Sequence, residues 1–344
     1  DRREMQSRAE NCYLVTHIVN GMPLVTVVTP CYNAEPFIGE TIESVQNQTF
    51  QDWEHIVVDD GSTDQSLEVI QEHAQRDTSG RLRVLHQENG GVCRARNVGF
   101  AARSPDSRYV LFLDADDRMK PDMLDVLVQH MEAHPEVALT YCLADHIDVS
   151  GQQIKQPRPP LRYSSSSFGM QPVSNSVRAT PVLSLFDGHA IPSTSMIRCH
   201  DVEEAGGFDE ALGQPAEDCD LFARIGLKRQ VHRLHERLIE YRRHSGQVTR
   251  QAERKKQQMK RLGKKWSRPW SAKDPLFHRR RHIWRTWNGC TIPQMWLHAA
   301  RDQFRSGRIF RSLLLAGGSI MRYIHFIWIT ATVDFLRKWF AASK

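Results

Sequence analysis

Over most of the first 250 residues, short apolar runs of strand length alternate with segments whose apolar residues recur at helical spacing. Val25-Thr26-Val27-Val28 reads as a β-branched strand that runs into Thr29-Pro30-Cys31-Tyr32-Asn33, where Pro and Asn mark a turn. The spacing then predicts a helix over Glu35 to Gln48, with Phe37, Ile38, Ile42 and Val45 on one face. Trp53 to Val58 is a second strand, ending in the acidic stretch Asp59-Asp60-Gly61-Ser62-Thr63-Asp64 ahead of a helix over Gln65 to Ala74. Arg81 to His86 is a third strand, and after Glu88-Asn89-Gly90-Gly91 a helix over Val92 to Ala102 carries Arg94, Arg96 and Asn97. Tyr109 to Leu113 is a fourth strand, followed by a helix from about Pro121 to Ala133 and an apolar strand, Val137 to Cys142. Further on, Ala216 to Phe222 has the acidic character of a helix N-terminus, and Val231 to Tyr241 reads as a closing strand. Strand and helix alternate at intervals suited to right-handed crossovers. The expectation is an α/β fold, a mostly parallel sheet flanked by helices in the Rossmann-like manner.

The rhythm fails in two places. Residues 150–180, with Gln156-Pro157-Arg158-Pro159-Pro160 and the serines 164–167, read as a surface loop. From residue 251 the chain is basic: 21 Lys+Arg stand against 4 Asp+Glu, whereas residues 1–250 hold 25 against 36. Seven of the eight Trp also lie in this part. Three segments follow: a leader (1–22), a catalytic-looking α/β domain (23–250) and a basic, Trp-rich helical extension (251–344). The apolar stretch 309–340 is interrupted by Arg311, Arg322, His325, Asp334 and Arg337, which favours an interfacial amphipathic helix over a spanning one. Contact with anionic membrane is expected of such an extension, with packing on the domain or a partner as the alternative. The seven cysteines are scattered without a C-x-x-C pair, and residues 1–15 have no apolar signal core. A cytoplasmic setting, at the inner face of a membrane, is expected.

Candidate chemistry gathers where strands end, since ligands of open α/β sheets bind outside the carboxyl ends of the strands. Asp114, Asp116 and Asp117 follow the fourth strand directly. Crowded carboxylates repel one another, and oxygen ligands of this kind suit Mg²⁺ or Mn²⁺ completed by phosphate oxygens. A solvated acidic loop is the alternative.

Taken together, VTVVTPCYNAEPFIGETIESVQNQTFQDWEHIVVDDGSTD, ENGGVCRARNVGF, VLFLDADD, AGGFDE, AEDCDLFARI and YRRHSGQVT, in this order, resemble the family 2 glycosyltransferases of GT-A fold. These are inverting enzymes that use nucleotide-diphosphate sugars. The resemblance covers residues from about Pro23 to Thr249 and not the basic extension. It implies that Thr29, Pro30 and Tyr32 cradle the nucleobase, with Tyr32 able to stack, and that Asp60 or its neighbour Asp59 recognises a base N–H. Arg94 or Arg96 would meet the base or diphosphate. Asp114 would approach the ribose, and Asp116 would bind Mn²⁺ or Mg²⁺. His244 would be a further metal ligand or diphosphate contact, or else a structural residue, and Arg242 or Arg243 would clamp phosphate. Asp117 would share the site or cap the next helix. An inverting transfer needs a base on the acceptor side, and the resemblance puts it at Asp218 of Glu217-Asp218, with Asp220 as rival. The leading expectation is therefore an inverting transfer from a nucleotide sugar, UDP-sugar favoured, to a glycan or lipid-linked acceptor. A non-catalytic nucleotide-sugar-binding or scaffold protein is the second reading. A nucleic-acid-binding protein working through the basic extension is the third, and it leaves the acidic set unexplained.

Overall fold

The computed structural model describes residues 13–15, 23–155, 177–179, 190–247 and 252–267. The expected loop 156–167 and the extension beyond residue 267 lie outside the described residues. The chain divides into two compact units, residues 1–156 with 165–262, and residues 157–164 with 263–344. The first unit carries the sheet and the candidate site.

Its centre is a parallel block. Strands β2 (Val25–Cys31) and β3 (Trp53–Asp59) are buried along their whole length, as is β5 (Tyr109–Phe112). Strands covered on both faces read as unbroken apolar runs, which is why these three were visible in the sequence. With β4 (Leu82–His86) they lie side by side and parallel in the order β4-β3-β2-β5. The crossovers are α1 (Glu35–Gln46), α2 (Ser66–Arg76) and α3 (Val92–Ala101). Beyond β5 the sheet changes direction. It takes in β9 (Ser195–Arg198) antiparallel to both β5 and β7 (Val137–Ile147), then β10 (Gln230–Arg242) parallel to β7. Short antiparallel partners finish the edges: β1 (Tyr13–Val15) on β4, and β6 (Arg118–Met119) and β8 (Val177–Ala179) on β10. Part of the segment expected to be a leader thus joins the sheet. The remaining helices are α4 (Met123–Ala133), α5 (Cys199–Ala205), α6 (Glu217–Gly226) and α7 (Ala252–Ser267). No helix among the described residues is long and apolar enough to cross a membrane.

Two helix placements bear on the site. Along α1 the buried face is Ile38, Thr41, Ile42 and Val45. Thr41 takes the place expected for Phe37, because its hydroxyl donates to the carbonyls of Ala115 and Asp117, both at 2.9 Å. Phe37 instead turns towards the C-terminal end of β10, its ring 4.9 Å from that of His244. Helix α3 lies so close to β2 that a Cβ on Gly99 would come within 2.4 Å of Val28 Cγ1. Only glycine permits that approach.

The five described cysteines, Cys31, Cys93, Cys142, Cys199 and Cys219, are free and buried. Burial pushes the thiols of Cys31, Cys93 and Cys142 up to about 12, so these serve as small apolar residues.

Candidate active site

The carboxyl ends of β2, β3 and β5, together with the end of β10 and the start of α6, bring the predicted acidic residues to one edge of the sheet. At β3, Asp59 pairs across the strands with His86 (2.8 Å) and is fully buried. Asp60, one step beyond the strand, accepts the Gly90 and Gly91 N–H groups, each at 2.8 Å, and the Gln87 amide at 2.6 Å. Gly91 has φ +86°, and in this left-handed conformation it opens α3 with its amide turned to the carboxylate. The sequence reading gave Gly90 and Gly91 no such part. Three donors leave Asp60 Oδ2 with a spare lone pair.

The predicted base-binding residues separate. Thr29 is buried and its hydroxyl lies 2.9 Å from His55 Nε2, so the side chain faces the sheet interior. Pro30 is buried within β2. Tyr32 is 51 % exposed. It stands just past the strand, next to Asn33, whose φ of +52° and Oδ1 contact with the Thr63 N–H (2.8 Å) fix the turn.

After β5 the chain turns sharply, the Asp117 N–H returning to the Asp114 carbonyl at 3.1 Å. The Asp114 N–H donates to Ser193 Oγ (3.0 Å), a residue that nothing in the sequence singled out. Asp114 and Asp116 keep about a fifth of their side-chain surface open, 22 % and 23 %. Asp116 Oδ2 lies 2.9 Å from His244 Nε2, which joins the D-x-D turn to a residue 128 positions later. Asp117 is wholly buried and does not cap a helix, for β6 intervenes and Oδ1 accepts the Arg242 N–H at 3.0 Å. Its Oδ2 has no hydrogen-bond partner. Burial and the neighbouring Asp116 and Asp114 hold the Asp117 carboxyl well above the usual range; burial also raises Asp114, against the pull of Arg96. A divalent cation between Asp116 and His244 fits the donor set, one carboxylate oxygen and one imidazole nitrogen at the solvent side of a crowded acidic turn.

Arginines are sorted by burial. Arg96, fully buried, donates to Asp114 Oδ1 (2.6 Å) and to Glu217 Oε1 (2.8 Å), with the Phe208 ring 5.1 Å from its guanidinium carbon. Arg94 is half-buried and makes no hydrogen bond or ion pair among the described residues. Arg242 is consumed internally. Its guanidinium donates to the carbonyls of Asp116, Asp148 and Val149 and to Glu40 Oε2. It supports the D-x-D turn from beneath and is no clamp for phosphate. Glu40 and Phe37, both on α1, are participants that sequence reasoning missed.

At α6, Glu217 is buried and paired with Arg96, while Asp220 is buried in an i, i+4 pair with Arg224 (2.7 Å). Asp218 lies between them, partly open, accepting the Cys219 N–H at 2.6 Å. Burial, then the charge of Glu217, pushes its carboxyl up to about 7. Of the three acids, Asp218 has the proton affinity of a base that works near neutrality.

The family model described as Glycosyl transferase family 2 matches residues 26–204. Among curated proteins, the chain is similar to the putative teichuronic acid biosynthesis glycosyltransferase TuaG of Bacillus subtilis, 41 % identical over 115 residues, which is 33 % of this chain and 44 % of TuaG. The chain spans less than half the length of the first curated relatives that it matches. Among solved structures it is similar to residues 1–349 of S. aureus TarS in complex with UDP-GlcNAc, at TM-score 0.57 and 17 % identity, over 86 % of this chain and 91 % of that one. It is also similar to the mannosyltransferase PcManGT from Pyrobaculum calidifontis in complex with GDP-Man and Mn²⁺, at TM-score 0.56 and 20 % identity, over 96 % and 90 %. These likenesses establish the GT-A fold. With more than half of its residues matched by the family model, the chain belongs to glycosyl transferase family 2.

Proposed function

We propose that this glycosyltransferase moves a sugar, with inversion, from a nucleotide-diphosphate sugar to a hydroxyl of a glycan or lipid-linked acceptor, UDP-sugars being the favoured donors. The observation that carries the reading is the buried Arg96 bridge. One guanidinium ties Asp114, beside the D-x-D turn, to Glu217, next to the near-neutral Asp218. Donor-side and acceptor-side carboxylates are thereby held at a fixed offset. Two neighbours in fold are solved in complex with UDP-GlcNAc and with GDP-Man and Mn²⁺, and TuaG is named for teichuronic acid biosynthesis, which supports the donor and acceptor classes.

In this reading Tyr32 stacks on the nucleobase, and the spare lone pair of Asp60 accepts a base N–H. Asp114 meets the ribose. Arg94, uncommitted and half-buried, reaches the diphosphate, whereas Arg96 orders the carboxylates around it. Asp116 and His244 would hold Mn²⁺ or Mg²⁺; when bound, the ion supplies charge stabilisation to the departing diphosphate. Asp218 takes the proton of the acceptor hydroxyl as that oxygen attacks from the face opposite the leaving group. The basic residues after 251 hold the enzyme against an anionic surface that carries the acceptor.

The test is calorimetric binding of UDP, GDP and dTDP, each with Mn²⁺ and with chelator, to the unaltered chain and to Asp116→Ala. The expected result is metal-dependent binding of UDP, weakened at least tenfold in the variant. Absence of nucleotide binding by folded protein overturns the reading.

A further inference from the structure

A second group of ligating side chains stands far from the acidic edge. His130 lies in the last turn of α4, His134 caps that helix four residues later, and His232 is the third residue of β10. In the sheet His232 pairs with Thr140 of β7, whereas the acidic edge lies where β7 reaches Ile147. Seven residues of strand separate the two places, about 23 Å at the usual rise.

The three imidazoles converge. His130 Nε2 is 3.1 Å from His232 Nδ1, and one nitrogen from each ring falls in a set whose members all lie within 4.8 Å of one another. The His130 and His134 rings stack with centroids 4.2 Å apart, and the His232 ring lies 5.3 Å and 5.4 Å from them. One histidine in the last helical turn and another at the cap four residues on can both reach one ion, as the stacked rings show. A tetrahedral ion with bonds of 2.0–2.1 Å needs nitrogens about 3.3 Å apart. The closest pair already has nearly that separation, and ring rotation closes the rest. His134 Nδ1 lies 2.9 Å from the His130 carbonyl oxygen. Donation from that nitrogen leaves Nε2 with its lone pair directed outward, the arrangement by which outer partners orient a ligating histidine. The His232 side chain is buried, and its Nε2 has no hydrogen-bond partner.

We propose that His130, His134 and His232 form a binding site for one divalent transition-metal ion of the zinc class, which fastens the end of α4 to the β7–β10 pair. Imidazole donors select zinc, nickel or copper over the oxygen-loving Mg²⁺ and Mn²⁺, so this site and the acidic edge take different ions. Three nitrogens leave a fourth position open.

The experiment is Co²⁺ titration of untagged, chelator-stripped protein, followed by visible absorption. Tetrahedral cobalt gives an intense band that an octahedral oxygen site does not. The expected result is a band saturating at one equivalent, removed by Zn²⁺, and unchanged in Asp116→Ala. In His130→Gln and in His134→Gln, each checked by circular dichroism, Co²⁺ affinity should fall by at least about 100-fold, the upper range for disturbing a ligand's surroundings. On the unaltered chain, Zn²⁺ should also protect His134 from ethoxycarbonylation by diethyl pyrocarbonate, read by mass spectrometry. No band with folded protein, a band that survives both histidine substitutions, or His134 modified equally with and without Zn²⁺ overturns the site. Loss of the band in Asp116→Ala alone would place the ion at the acidic edge and overturn it as well.

Discussion

Glu217 and Asp218 are consecutive carboxylates on the first turn of α6, and their surroundings separate them. Arg96 neutralises Glu217, whereas Asp218 accepts the Cys219 N–H and feels Glu217 as a like charge. An acid raised from the ordinary 3.8 to about 7 must lose its proton to act as a base, so transfer should rise with pH through about 7. Stability has the opposite sign. The folded chain holds this proton more tightly than the unfolded one, so between those two values the contribution of Asp218 weakens folding as pH rises. Asp218→Asn is therefore expected to cut transfer by ~10²–10⁴ with donor binding retained, and to raise Tm at pH 8 by roughly 2–4 °C for each kcal/mol relieved. Parallel kcat, donor-binding and melting measurements decide it: full transfer in the variant would move the base elsewhere. At this scale the sequence showed which residue types were needed but not their commitments. Asp220 stood as a rival to Asp218 and Arg242 as a candidate beside Arg94, yet each is buried in an internal pairing that requires a partner distant in sequence or one helical turn away.

Helix α3 organises four features at once. Its N-terminal glycines hold Asp60, Arg96 joins the two acidic groups, Gly99 admits β2, and Asn97 clips the loop that leads to α6. The clip is reciprocal. Asn97 donates to the Phe208 carbonyl and accepts the Phe208 N–H, both at 2.9 Å, while Gly207, at φ +69°, leaves no room for a Cβ, which would lie 2.8 Å from Asn97 Oδ1. Asn97→Ala should cost about 1–3 kcal/mol, because buried backbone groups of Phe208 lose their partner. Gly207→Ala should cost a similar amount through strain. If both act through this clip, the urea midpoint of the double variant should fall by less than the sum of the single effects; full additivity would show the two residues to be independent. The long elements were legible because four or more apolar residues repeat at a defined period, as in β2, β3, β5 and α1. The two residues of β6 and the four of β9 carry no such period, and the reversal of direction at β9 depends on pairing with strands more than fifty residues away. The acidic edge was legible from its motifs, but its supports, Ser193, Gln87, Glu40 and Phe37, were not, since a single polar or aromatic residue in a loop or on a helix has no pattern.

Over the whole molecule, charge is divided between a net-acidic first 250 residues and a net-basic remainder. Helix α7 lies at the start of the basic part. Gln258, Leu262 and Trp266 recur every four residues and are buried, while Arg254, Lys260, Arg261 and Lys264 are exposed. On the proposed reading, an acidic edge would repel an anionic surface, so contact with such a surface would fall to the cations gathered after residue 250. Near such a surface each Lys or Arg contributes about 1 kcal/mol. Engagement of the four exposed α7 cations alone would therefore strengthen binding by roughly 10²–10³-fold over neutral lipid. In a sedimentation assay the chain should pellet with phosphatidylserine-containing vesicles at low salt, stay in solution with phosphatidylcholine vesicles, and be released as salt shortens the screening length to a few ångströms. Equal partitioning into the two kinds of vesicle would assign the interaction to the tryptophans rather than the charge. Retention on a duplex DNA of equal charge, with none on anionic vesicles, would give the basic part a nucleic-acid partner instead.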